Sequence, residues 1–206
     1  PDYMAFALVA GLILGVAGAL FRRGSQWAEK NKPAGNGILW MMPLAGTLTA
    51  VVAIWVPQVM GNGRATAQLS FSSNADLAVI PILLLSFAAK AIVTLLTIRS
   101  GASGGVLQPG IALGASGGAV LGILWMQIFH TNSIGMYALL GACALLAASQ
   151  QAPLMAICLV MELADAPINL FVPIGFAVAV SAFTASRLSG PLAKLRVAAP
   201  KASDVH

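Results

Sequence analysis

Long apolar runs separated by short polar segments dominate this chain. A run of about 20 apolar residues crosses the hydrocarbon core of a bilayer as one helix. Of the six runs in this sequence, only the third contains a charged residue, Lys90. The pattern predicts an all-α integral membrane protein with spans at residues 3–21, 38–60, 77–98, 101–129, 133–161 and 166–186.

The fifth run is longer than one span needs and contains a signal for a break. It has 29 residues, and the polar residues Ser149, Gln150 and Gln151 lie just before Pro153. Proline fits the first turn of a helix, where its missing N–H costs nothing. We therefore expect two short helices, at about 133–148 and 151–163, and about seven membrane segments in all. Short, broken helices are typical of transporters, which build them around a site at mid-membrane depth.

Basic residues cluster in a polar loop at 22–32, directly after the first run, and in a tail after the last run. Cytoplasmic loops collect Lys and Arg. Seven membrane segments place both clusters on one side, whereas six would separate them. We therefore predict a transmembrane part at 1–192, a basic C-terminal tail at 193–206, and a basic side that faces the cytoplasm of a bacterial inner membrane. Loop 22–32 would also contact anionic lipid headgroups.

The composition disfavours a soluble enzyme and a nucleic-acid binder. Hydrophobic residues make up 59% of the chain and charged residues 8%, against about 25% charged residues in a soluble domain. The net charge of +5 comes from residues that bracket the apolar runs, so it does not indicate nucleic acid. We predict no catalytic residues, no metal site and no cofactor, and we expect Cys143 and Cys158 to be buried, inert thiols.

Residues 100–122 form a glycine-rich stretch with no charge, in which eight of the 23 residues are Gly. Gly recurs every fourth residue in its second part, which is one face of a helix built for close packing. Pro109 suits a first turn. The stretch therefore predicts a loop that leads into a helix N-terminus near Leu107, where unpaired N–H groups and the helix dipole favour an anion. The alternative is a loop that only packs helices together.

Several segments resemble the CLC family of chloride channels and transporters. GGVLQP at 104–109 resembles the GxFxP anion-filter motif, and SGASGG at 100–105 resembles the SGAPGG approach to it. Residues 142–163, with AASQQAPL and LVMEL, resemble the AASxRAPL and LVLEM stretch, and residues 87–96 resemble the basic-residue helix before the filter. The similarity covers about residues 3–192.

The resemblance implies the second of two inverted halves, with broken and re-entrant helices whose N-termini point at a central anion. It implies transport of a small inorganic anion by a channel or a proton-coupled antiporter, with chloride as the first candidate and fluoride as the alternative. The anion-binding residues carried over from the family motif are Gly105, Val106, Leu107, Gln108 and Pro109, with the amides of Val106 and Leu107 against the anion.

The resemblance also implies partners. A homodimer would form through about 151–163 and 168–187, with Glu162 near that interface rather than in the pore. The first half of the transporter would lie in the same or another chain, because Pro1 looks like a cut inside a longer protein.

Three departures from the family pattern bear on selectivity. Leu107 replaces the motif's Phe, and Gln108 replaces a small residue and offers a further side-chain N–H. Ala193 follows Pro191 and Leu192 where the family has its pore tyrosine, so that hydroxyl is missing. We expect these changes to alter the inner gate and the choice of anion.

Two functions of other classes are alternatives to anion transport. Residues 101–104 match the GxSG of rhomboid intramembrane proteases, with Ser103 as nucleophile. Its nearest base, His130, would lie roughly 35 Å away along the following helix, too far for a hydrogen bond. The other alternative is a structural half-subunit that carries no ion flux by itself.

Lys90 and four aromatic residues also have competing interpretations. Lys90 lies near mid-span, where it would either shape the anion field or have a structural partner or snorkel. Trp40, Trp55, Trp125 and Tyr137 lie towards span ends, as in the aromatic belts of membrane interfaces.

Overall fold

The computed structural model describes residues 2–55, 77–102, 105–129 and 134–197, with the side chains of 3–55, 77–102, 105–129 and 134–189. These ranges contain seven α-helices and two short 3-10 turns, Leu77–Val79 and Ile168–Leu170. The helices are α1 Asp2–Lys30, α2 Gly37–Trp55, α3 Ile80–Arg99, α4 Leu107–Phe129, α5 Ile134–Gln150, α6 Pro153–Leu163 and α7 Phe171–Val197.

The predicted break in the fifth apolar run is confirmed. Among the described helices, five are long and apolar enough to cross a membrane, whereas α5 and α6 are apolar but shorter. The chain leaves α5 through Gln151, whose φ is +53°, and α6 begins at Pro153. Neither α5 nor α6 therefore spans a bilayer comfortably alone.

Helix α5 is the centre of the bundle. It is flanked by α1, α4, α6 and α7. Leu140, Leu145 and Leu146 are completely buried, and the small residues between them are buried too. A helix that is apolar on every side is stable only when other helices surround it.

Glycines on α4 allow its backbone to approach α5 closely, which confirms the predicted small-residue face. A Cβ added at Gly114 would lie 2.5 Å from the carbonyl oxygen of Gly141. A Cβ added at Gly122 would lie 2.5 Å from Cβ of Tyr137. The two helices are therefore packed at backbone distance over about two turns.

Helix α1 packs against α7 and α5 through a second set of close contacts. A Cβ added at Gly11 would lie 2.9 Å from the carbonyl oxygen of Ala177, and one at Gly18 would lie 2.6 Å from Cβ of Ala148. At the end of α1, Arg23 Nη2 donates a hydrogen bond to the carbonyl oxygen of Leu188 at 2.8 Å.

The ends of two helices differ from the sequence prediction. The prediction of a polar loop at 22–32 is wrong for most of these residues, because α1 continues to Lys30. Tertiary contacts hold these turns helical, since Ala28 is buried and the Arg99 guanidinium lies 5.0 Å from the centre of the Trp27 ring. Helix α7 extends to Val197, beyond the predicted span end at 186 and the predicted boundary at 193.

Two aromatic residues and one cysteine also lie elsewhere than predicted. Tyr137 is completely buried, with its ring centre 4.3 Å from that of Phe6, because short α5 begins inside the bundle. Trp125 stacks on Phe129 at 4.6 Å and belongs to the same cluster. Cys143 is buried as expected, but Cys158 is exposed on α6.

The hydrogen bond between α7 and α5 gives a first prediction. Ser181 Oγ, which is buried on α7, donates to the carbonyl oxygen of Ala144 on α5 at 2.5 Å. We expect Ser181→Ala to lower the free energy of unfolding by about 1 kcal/mol, because the buried carbonyl of Ala144 loses the one donor that comes from α7 and keeps only its bond within α5. Exposed Ser186 bonds only within α7, so Ser186→Ala is the control. Equal melting temperatures for the two variants in detergent would contradict the prediction.

Candidate anion site

The N-terminus of α4 presents three backbone N–H groups that the helix does not use. The first helical hydrogen bond runs from the N–H of Gly110 to the carbonyl oxygen of Val106, at 3.0 Å. The N–H groups of Val106, Leu107 and Gln108 precede it and have no acceptor within the helix. Pro109 has no N–H, so it starts the helix without adding another unpaired donor.

The start of α4 is accessible on one side and anchored on the other. Gly105 is exposed, Leu107 is 38% exposed, and Val106 and Gln108 are half-buried. Pro109 is buried, as is the turn that follows it. The N–H groups are thus held in place by the buried turn behind them.

A cleft of about 590 Å³ opens in front of this helix terminus. Three parts of the chain line it: the end of α1, the segment between α3 and α4, and the end of α5. Helix α5 reaches the site because its last turn lies beside the first turn of α4, where a Cβ added at Gly110 would lie 3.5 Å from Ser149 Oγ. The lining residues that carry polar atoms or belong to the candidate site are Arg22, Ser25, Gln26, Glu29, Lys32, Gly105, Val106, Ser149 and Gln150.

Two cations and one carboxylate line the cleft. Lys32 Nζ lies 3.5 Å from Glu29 Oε1, so these two charges offset one another. Arg22 is half-buried and makes no ion pair or hydrogen bond with the described residues. The cleft therefore carries a net charge of +1, which together with the positive end of the α4 dipole favours an anion.

The five predicted anion-binding residues lie together at the start of α4. Only two of them, Gly105 and Val106, line the cleft. Leu107, Gln108 and Pro109 do not line it. The preceding Ser103 and Gly104 lie outside the described residues, as does His130, so the geometry of a Ser–His pair is not described.

Sequence reasoning did not identify the cleft residues that come from α1 and α5. Arg22, Ser25 and Gln26 come from α1, about 80 positions before the glycine-rich stretch, and Gln150 comes from the end of α5. The signal in the sequence is the basic cluster after the first run, which by itself indicates only the topology and a contact with lipid.

Lys90 lies on α3 inside the protein and is 3% exposed. Its charged end therefore does not snorkel to the membrane surface. Lys90 does not line the cleft in front of α4.

Comparisons with known proteins agree with this architecture. A family model described as voltage gated chloride channel matches residues 1–186. The H(+)/Cl(-) exchange transporter ClcA of Cronobacter sakazakii (strain ATCC BAA-894) is 33% identical over 167 residues, which are 77% of this chain and 35% of that protein. The chain therefore spans about a third of the length of this relative.

Two solved structures share the fold. A CLC-type fluoride/proton antiporter superposes with a TM-score of 0.71 at 21% identity, over 90% of this chain and 45% of the antiporter. A eukaryotic CLC transporter superposes with a TM-score of 0.67 at 24% identity, over 89% of this chain and 33% of the transporter. These similar proteins are transporters by name. The family match over nearly the whole chain, together with the shared fold, shows that this protein belongs to the voltage-gated chloride channel (CLC) family.

Proposed function

We propose that this chain forms part of a membrane transporter for small inorganic anions and that chloride is the transported ion. The anion is held at the N-terminus of α4 by the backbone amides of Val106 and Leu107, next to Gly105, Gln108 and Pro109. No cofactor and no catalytic group takes part. The observation that carries the proposal is the cleft that opens onto Gly105 and Val106 with a net charge of +1.

Backbone amides suit an ion that must bind and leave again. A fixed guanidinium in direct contact with a dehydrated anion would hold it strongly, whereas partial charges on N–H groups stabilise it less and leave it mobile. The attraction is still useful because the terminus is flanked by apolar helices, where charges interact more strongly than in water. The 33% identity to a protein named as an H(+)/Cl(-) exchanger supports chloride over other anions.

Fluoride is the second candidate ion. Leu107 replaces the aromatic residue of the family motif, Gln108 adds a side-chain amide beside the filter, and Ala193 replaces the pore tyrosine. Of these changes only Gln108 adds a hydrogen-bond donor, and a small anion that binds donors tightly gains more from it than a large one does. The likeness to a fluoride/proton antiporter concerns the fold and gives fluoride no further support.

The proposal includes a homodimer in the inner membrane of a bacterium. Its interface is formed by about 151–163 and 168–187. Leu154 on α6 is 76% exposed, Ile168 80% and Val172 66%, and such apolar side chains need lipid or protein to cover them. Glu162 is exposed at the end of α6, beside this surface. The rest of the pore is supplied by a first half, in the same or another chain.

Anion flux from vesicles tests the proposal. The full-length protein is purified and reconstituted into two sets of liposomes, one loaded with potassium chloride and one with potassium fluoride. Valinomycin is then added to make the membranes permeable to potassium. We expect chloride to leave the vesicles, and protons to move in the opposite direction if the protein is an exchanger. An ion-selective electrode measures chloride or fluoride, and protein-free liposomes are the control.

The outcomes separate the candidate functions. Chloride efflux supports the proposal, whereas fluoride efflux without chloride efflux replaces chloride with the second candidate. If neither anion moves in the full-length protein, the chain is not an anion transporter and the structural-subunit interpretation is favoured.

A further inference from the structure

We infer that Arg22 draws anions into the cleft in front of α4 and thereby sets the anion concentration at which transport is half-saturated. The inference rests on the proposed function, because it concerns how the same anion reaches the amides of Val106 and Leu107. Arg22 is then a residue that determines apparent affinity without belonging to the filter itself.

The position of Arg22 is the first argument. Its side chain lies on α1, which the sequence alone separates from the glycine-rich stretch by about 80 residues. The fold brings it to the same cleft that Gly105 and Val106 line. An anion in this cleft is therefore close to the charge of Arg22 as well as to the start of α4.

The charge of Arg22 is available to an anion. The other cation of the cleft, Lys32, is paired with Glu29 at 3.5 Å. Among the residues that the structure describes, no carboxylate or hydrogen-bond acceptor contacts the Arg22 guanidinium. A half-buried, unpaired guanidinium has lost part of its hydration, so a passing anion stabilises it.

Neighbouring arginines have structural contacts and do not line the cleft. Arg23 donates to the carbonyl oxygen of Leu188 at 2.8 Å and ties α1 to α7. The Arg99 guanidinium lies 5.0 Å from the ring centre of Trp27. Arg22 therefore differs from both in position and in the absence of such a contact within the described part of the chain.

The physical effect is local concentration of the anion. A cleft with low-dielectric walls and one excess positive charge focuses the electric field, which raises the local concentration of anions. The filter amides do not change, so the maximal rate depends little on Arg22. The effect falls with ionic strength, because the Debye length shrinks from about 30 Å at 0.01 M to about 8 Å at 0.15 M.

The test is the rate of chloride flux against chloride concentration in the reconstituted full-length protein. Vesicles of phosphatidylcholine alone avoid charged lipid, and gluconate salts set the ionic strength. We expect Arg22→Gln to raise the half-saturating chloride concentration by about three- to tenfold at low ionic strength, with little change in maximal rate. The difference should nearly vanish at about 0.5 M salt.

Three variants make the test specific. Arg22→Lys keeps the charge and should restore the low half-saturating concentration. Lys30→Gln removes the same charge from an exposed position of α1 that does not line the cleft, so it should behave as the unmodified protein. Gln26→Lys adds a charge to the same wall and should lower the half-saturating concentration, which provides a test even if Arg22→Gln does not fold.

Several results would overturn the inference. The first is a half-saturating chloride concentration that is unchanged in Arg22→Gln, rises equally in Lys30→Gln, or stays high in Arg22→Lys. The second is an effect of Arg22→Gln that occurs only in vesicles with anionic lipid. The third is a half-saturating chloride concentration that does not fall in Gln26→Lys. In each case chloride transport by the unmodified protein would still support the proposed function. Absence of anion transport in the unmodified protein would instead refute the proposed function.

Discussion

Replacing Gly118 with alanine is expected to destabilise the protein by about 2–3 kcal/mol, since overpacking a dense helix contact forces backbones apart. The new Cβ would lie 2.5 Å from the carbonyl oxygen of Tyr137 and 2.8 Å from Cα of Gly141. Both atoms belong to the backbone of α5, so neither moves aside as a flexible side chain would. Because α5 is the central helix, its displacement affects the packing of α1, α6 and α7 as well.

The melting temperature of the protein in detergent measures this effect. It is determined by size-exclusion chromatography of samples heated to increasing temperatures. Gly46→Ala is the control, because Gly46 lies within α2, outside the proposed dimer interface, and a Cβ there meets nothing within 4 Å. Alanine is also about 1 kcal/mol better than glycine in a helix, so Gly46→Ala should melt at the same temperature or higher. Similar melting of the two variants would show that α4 and α5 are not packed as closely as described.

Val106→Pro is expected to weaken chloride binding by about tenfold or more, because a hydrogen bond to a charged group contributes about 1.5–3 kcal/mol. Proline removes the N–H of Val106. That N–H precedes the first helical hydrogen bond, which the carbonyl oxygen of Val106 accepts. The helix therefore keeps its own hydrogen bonds while the filter loses one donor.

Isothermal titration of the purified full-length protein with chloride measures this affinity. Val106→Ala shortens the same side chain but keeps the amide, so it should retain most of the affinity. The melting temperature of both variants checks that the fold survives. Loss of affinity in the alanine variant, or full affinity in the proline variant, would rule out the backbone amide as the anion ligand.

The features that could be predicted from the sequence are those that depend on local pattern. The apolar runs, the break before Pro153 and the four-residue spacing of Gly110, Gly114 and Gly118 each arise within one or two helices. A glycine face reports close packing whichever helix lies opposite, so it could be recognised without knowledge of the partner, here α5.

Features that depend on distant contacts could not be predicted in this way. Residues 22–30 look like a polar loop, but they remain helical because Trp27 lies against Arg99 and Arg23 bonds to Leu188. Tyr137 resembles an interface residue in the sequence, and its burial depends on Phe6 at the other end of the chain. For the same reason the sequence predicts the start of α4 but does not predict that Arg22 lines the cleft in front of it.

The shortness of central α5 has a consequence for how the protein enters the membrane during synthesis. Its 17 residues reach about 25 Å, less than the roughly 30 Å of the hydrocarbon core. A helix this short meets lipid alone only with local thinning of the bilayer, a mismatch that packing against another helix relieves. We therefore expect the insertion machinery to retain α5 until α6 has been made, and to release the two as a hairpin onto α1 and α4. The order of translation would then contribute to the assembly of the core.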